Sequence, residues 1–98
     1  MAVALTDKQI QEISEIIAPD WEEIGYKLDL PQHKVRTIKR DPTFPELADK
    51  AREMLLSVKN KRGNLFPHDV TVALRNGGKD DEADDVEKIL KEPKGGQI

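Results

Sequence analysis

The stretch DWEEIGYKLDL at residues 20–30, followed by Pro31, Val35 and Ile38, decides the fold of this chain. Trp21, Ile24 and Leu28 recur at the spacing of one helical face, which makes them the inward stripe of an amphipathic helix. Pro31 suits the first turn of the next helix, where its missing N–H costs nothing, and Val35 and Ile38 are that helix's buried residues. Gly25 lies between the apolar positions, and a small residue there lets two helices cross closely. Trp21 is the expected central anchor of the core, while Tyr26 falls on the opposite, solvent side.

Helix signals continue on both sides of this unit. Upstream, Thr6 with Gln9 forms a capping box, with Leu5 and Ile10 as its hydrophobic staple. Ile10, Ile13 and Ile17 follow on one stripe, Pro19 ends that helix, and Asp20 with Glu23 caps the next. Downstream, the Asp41-Pro42 step stops the third helix, and Thr43 with Glu46 caps the fourth and longest. Leu47, Ala51, Met54, Leu55 and Val58 are its inward residues, and Leu56 is expected to stay partly exposed on the other side. Lys59, Lys61 and Arg62 lie in its last turn, and Gly63 closes it. Asn64 can cap a fifth helix carrying Val70, Ala73 and Leu74 and ending at Gly77-Gly78. Val70-Thr71-Val72 alternates like a strand, but a lone strand would have no partner, so helix is the better reading. Asp80 opens a sixth helix with Ala83, Val86, Ile89 and Leu90 facing in. The expected architecture is all-α: a single domain over residues 1–98, a six-helix antiparallel bundle with its core at about 5–91 and a frayed tail at 92–98.

Composition fits one small core. The chain has 98 residues, 37% hydrophobic, and its aromatic residues are Trp21, Tyr26, Phe44 and Phe66 alone. Ile, Leu, Val and Ala must therefore fill the interior, leaving no room for a large internal ligand cavity. Charged residues reach 36%, but the formal net charge is only −3, which argues against a surface devoted to nucleic acid or anionic membrane. No cysteine is present, which excludes disulfides, thiolate metal sites and cysteine nucleophiles. Met1–Leu5 is too short an apolar run for a leader or a membrane span. These features suit a soluble protein of a reducing, cytoplasmic setting.

The sequence offers no catalytic constellation. His33 and His68 stand apart from each other and from any partner motif, and Ser14 and Ser57 are the only serines. Gly78-Lys79 fails as a phosphate loop, since Ala73 replaces the first glycine and Asp80 the hydroxyl residue. Asp80-Asp81-Glu82 with Asp84-Asp85 lacks the glycine and terminal glutamate of a calcium loop, and acids are favoured at a helix start in any case. The expectation is a non-enzyme without cofactor, metal or small-molecule substrate.

Charge segregation is more informative. Residues 27–40 hold Lys27, Lys34, Arg36, Lys39 and Arg40 against one acid, Asp29. Residues 80–92 hold seven acids against Lys88 and Lys91, and the first twenty-three residues hold six against Lys8. Such poles steer and register a complementary partner or a second copy of the same domain. The candidate contact residues are Lys34, Arg36, Lys39 and Arg40 on one side and Asp80, Asp81, Asp84 and Asp85 on the other, with Leu56 beside them and Asp20, Glu22 and Glu23 as a second acidic choice. An alternative places Trp21–Ile38 as a helix-turn-helix with Gln32, Lys34, Arg36, Lys39 and Arg40 toward DNA. Asp29 stands there in place of the turn glycine such motifs favour, and the acidic net charge is unhelpful for phosphate contacts.

The chain as a whole resembles the death domains. The resemblance runs from DWEEIGYKLDL at 20–30 through VRTI at 35–38, then MLLSVKNKRGN at 54–64 and VTVALR at 70–75, and covers about Leu5 to Leu90. Val58 stands where many members carry a second tryptophan, and Gly77 and Glu82 stand where an apolar residue is more usual. The RxDL motif of the sister death-effector group is absent. The resemblance implies a six-helix Greek-key bundle without an active site. It also implies an adaptor that binds other death-fold domains homotypically, in cytoplasmic signalling for cell death or innate immunity.

Overall fold

The computed structural model describes residues 3–91, which form six α-helices and one 3₁₀ turn, with no strand among them. The helices are α1 (Asp7–Ile17), α2 (Trp21–Lys27), α3 (Gln32–Arg40), α4 (Leu47–Arg62), α5 (Pro67–Asn76) and α6 (Asp80–Lys91), with the 3₁₀ turn Ala18–Asp20 between α1 and α2. The expected tail at 92–98 lies outside the described residues.

Local chemistry sets the boundaries. Thr6 accepts from the Gln9 N–H at 3.1 Å, and the Gln9 side chain accepts from the Thr6 N–H at 2.9 Å, so the capping box is closed. Gly63 at φ +91° and Gly78 at φ +76° take the left-handed conformations that end α4 and follow α5. Three other expected caps are replaced. Asp41 accepts from the Thr43 N–H at 2.9 Å, and Pro45 keeps Phe44 out of the helical region, so α4 starts only at Leu47. Pro67 opens α5 in place of an Asn64 cap, with the Asp69 carboxylate accepting from the Phe66 N–H at 3.0 Å. Asp20 belongs to the 3₁₀ turn that runs into α2, and its side chain caps nothing.

The core joins the inward stripes. Ile10, Ile13 and Ile17 of α1, Trp21 and Ile24 of α2, Val35 and Ile38 of α3, and Ala51, Met54, Leu55 and Val58 of α4 are all buried. So are Val70, Ala73 and Leu74 of α5 and Ala83 and Val86 of α6, while Ile89 and Leu90 are only half-buried. Leu47 is not an inward residue: as the first residue of α4 it is 52% exposed. α1 packs chiefly on α4 and α6, and α2 reaches both α4 and α5. Helices remote in sequence thus lie side by side, the crossed connectivity of a Greek-key bundle. At Gly25 the approach is close, since a Cβ there would lie 3.2 Å from Met54 Cγ and 3.5 Å from Val35 Cγ2.

Trp21 is only 2% exposed, so its truncation leaves a cavity in the core. Trp21→Ala is expected to cost about 3–5 kcal/mol, a loss of more than ten degrees in a domain of this size. A thermal melt within a few degrees of the parent would contradict the core assignment.

Candidate functional site

α3 is positioned by the turn that precedes it. Asp29 adopts φ +68°, the one left-handed non-glycine residue among those described, and so supplies the turn geometry for which glycine is the usual choice. The turn is tied down by the end of α4: Lys61 Nζ donates to the Asp29 carbonyl at 2.7 Å, and Arg62 Nη2 donates to the Leu28 carbonyl at 3.2 Å. Arg62 also pairs with Asp69 at 3.4 Å and Asp29 at 3.6 Å, linking the α2–α3 turn to the start of α5. At the far end of α3, Lys50 Nζ donates to the Lys39 carbonyl at 2.9 Å, satisfying a helix-end acceptor.

With Val35 and Ile38 facing inward, Arg36 and Arg40 of α3 are exposed and Lys34 is half-buried. His33, Arg36, Thr37 and Arg40 line a shallow recess on that face. Lys34, Arg36 and Arg40 form no ion pair among the described residues, whereas Lys39 is held by Glu22 of α2 at 3.4 Å. The expected basic face therefore exists, with Lys39 partly neutralised at its edge.

The acidic pole of α6 divides in two. Asp80, Asp84 and Glu87 lie on the side facing α5, where Arg75 meets them at 3.6, 3.2 and 3.1 Å. The hydrogen bonds to Glu87 and then Asp84 raise the Arg75 pKa above its already high ordinary value, so this cation is permanent. Asp81 and Asp85, one turn apart, are exposed and have no ion-pair partner among the described residues. Of the second acidic choice, Glu22 faces Lys39, and Asp20 and Glu23 share Lys79 at 3.4 and 4.0 Å. Leu56 is half-buried, leaning on the core with part of its side chain at the surface, and Tyr26 is 44% exposed.

Sequence reasoning did not find the cross-links Arg75, Arg62 and Lys79, because each joins helices whose neighbourhood exists only in the fold. The excess of acids at the start of α6 after a lone Arg75 was the available signal for one of them. Among the described residues, no three His, Asp or Glu side chains converge as metal ligands, and no helix is long and apolar enough to cross a membrane.

A Death domain family model matches residues 7–90, nearly the whole described chain. The chain belongs to the death domain family. No curated protein and no solved structure matches it. Death domains are non-catalytic modules of protein–protein interaction within death-fold signalling, and their partners are other death-fold domains. In this death domain α2, the Asp29 turn and α3 do form a helix–turn–helix unit, but it is embedded in the family's bundle, with α3 packed on α2 and α4.

The left-handed turn gives a direct check on how α3 is held. Asp29→Gly should keep or raise stability by up to about 1 kcal/mol, because glycine carries no left-handed penalty and the Arg62 contact it removes is largely solvent-exposed. Asp29→Ala should destabilise by about 1 kcal/mol in urea unfolding. Equal stability of the two variants would contradict the assigned backbone.

Proposed function

We propose that this death domain is an adaptor without enzymatic activity that docks on other death-fold domains, or on copies of itself, through the basic face of α3. The acceptor is an acidic face of the kind formed by Asp81 and Asp85. The observation that carries the reading is the distribution of unpaired charge. Arg62, Arg75, Lys39, Lys59 and Lys79 are paired with intramolecular acids, while Arg36 and Arg40, like several cations on other helices, have no ion pair among the described residues and lie beside each other in one recess. Free charges of opposite sign on different helices suit an asymmetric, head-to-tail contact, which can propagate into rings or helical assemblies. Leu56 and Tyr26 offer apolar area that such a contact can cover. The setting that fits is cytoplasmic signalling for cell death or innate immunity.

Exposed ion pairs are individually weak, about 0–1 kcal/mol each, so several must act together. Arg36→Glu with Arg40→Glu should weaken association with a death-fold partner about tenfold or more in sedimentation or pull-down assays, leaving the melting temperature unchanged. Asp81→Lys with Asp85→Lys on the facing copy should restore part of it, more than Asp80→Lys with Asp84→Lys, whose parent acids are engaged by Arg75. Raising ionic strength to physiological levels, where the Debye length is about 8 Å, should weaken the contact as well. Association untouched by the double reversal, with DNA binding abolished, would overturn this reading in favour of a helix-turn-helix regulator.

A further inference from the structure

α3 ends without the glycine that closes α4. Pro42 follows it directly and carries no N–H for the carbonyls of Lys39 and Ile38, three and four residues back. The next N–H, that of Thr43, goes to the Asp41 side chain at 2.9 Å. Ile38 keeps a long bond from the Asp41 N–H at 3.3 Å, and the Lys39 carbonyl meets no backbone donor among the described residues. The shortfall is met from α4. Lys50 Nζ donates to the Lys39 carbonyl at 2.9 Å and to the Ile38 and Asp41 carbonyls at 3.4 and 3.5 Å. Its charge also sits at the negative end of the α3 dipole.

These contacts bracket Arg40. Ile38 and Lys39 precede it, Asp41 follows it, and the half-buried Lys50 holds all three by their backbone. The Lys39 side chain meanwhile reaches Glu22 at 3.4 Å, so one residue is fastened to α2 by its ammonium and to α4 by its carbonyl. At the other end of α3, Lys61 and Arg62 hold the Asp29 and Leu28 carbonyls. Cations of α4 thus grip both ends of the segment that carries Arg36 and Arg40. Lys50 itself does not line the recess those two arginines share.

We propose that Lys50 is the positioning residue of the α3 docking face: its ammonium fixes the last turn of α3 and so sets where Arg40 points beside Arg36. A helix end whose carbonyls lack partners frays, and a long side chain on a frayed turn must be ordered again when a partner binds. Lys50 removes that cost before the encounter, without touching the partner. The consequence for binding rests on the docking reading above, whereas the clasp is a property of the free domain.

The clasp is tested by NMR on the wild-type domain, where the Lys50 ammonium protons should exchange with water several-fold more slowly than those of the exposed Lys8 and Lys88. Lys50→Met, which keeps the stem without its donors, should speed amide exchange at residues 39–41. It should also weaken association about two- to tenfold, read by sedimentation of the domain with itself and with a second death domain where every variant is fully folded. Lys50→Arg should restore part of the loss. Added to Arg36→Glu with Arg40→Glu, Lys50→Met should cost nothing further, because it acts through Arg40, whereas a general loss of stability would add. A Lys50 ammonium that exchanges as fast as that of Lys8 would overturn the clasp, and that readout needs no variant to fold. Association unchanged by Lys50→Met, or a loss that persists in full on the double reversal, would overturn the positioning role. Association that the double reversal leaves intact counts against the docking reading, and the ammonium readout still decides the clasp.

Discussion

The packing of neighbouring helices on the buried stripe of α4 is the contact on which the rest of the structure depends. Ala51, Met54, Leu55 and Val58 form that stripe, and α1, the 3₁₀ turn, α2 and α3 all rest against α4. Trp21 begins α2 at this junction, and Gly25 one turn later brings the α2 backbone within side-chain contact of Met54. Once α2 is fixed, the left-handed turn at Asp29 fixes α3, and with it the direction in which Arg36 and Arg40 point. α5 and α6 then close the bundle as a pair, α5 on α2 and α6 on α1.

A second constraint is how the charges are disposed. With so many charged residues and so small a net charge, most cations could find an acid, and three at helix junctions do. Arg62 links α4 to the α2–α3 turn and to α5, Arg75 links α5 to α6, and Lys79 links α6 to the 3₁₀ turn and α2. These exposed bridges add little stability singly, but they remove charge from the surface at chosen places. Among the described charges left without an ion pair are Lys34, Arg36 and Arg40 on α3 and Asp81 and Asp85 on the outer side of α6, two groups of opposite sign on different helices.

The helical periodicity was legible in the sequence wherever a stripe ran through the middle of a helix, as in Ile10–Ile13–Ile17 or Trp21–Ile24–Leu28, because burial there follows from the 3.6-residue repeat alone. Helix starts were less legible. Thr6 caps as expected, but at Thr43 and Asn64 the nearby Pro45 and Pro67 set the backbone before a side chain could, and Leu47 is exposed because it stands ahead of the stripe it resembles. The basic face of α3 could be read from residue types and spacing. Which of its charges are free could not, since the Lys39–Glu22, Arg75–Asp84 and Lys79–Asp20 pairs are set by the fold, across helix junctions. The hold of Lys50 on the end of α3 was invisible for the same reason: in sequence it is one cation among several on α4.

The central claim is that the function of this death domain lies in two oppositely charged faces of one rigid bundle. Mapping backbone amide shifts of the isotopically labelled domain against rising concentrations of an unlabelled death-fold partner, or of itself, tests it most directly. The account predicts perturbations confined to residues 33–40 of α3 on one face and to residues around Asp81 and Asp85 on the other, with core amides such as Ile13 and Leu55 unmoved. Perturbations centred elsewhere on the surface, or spread through the core, would contradict it.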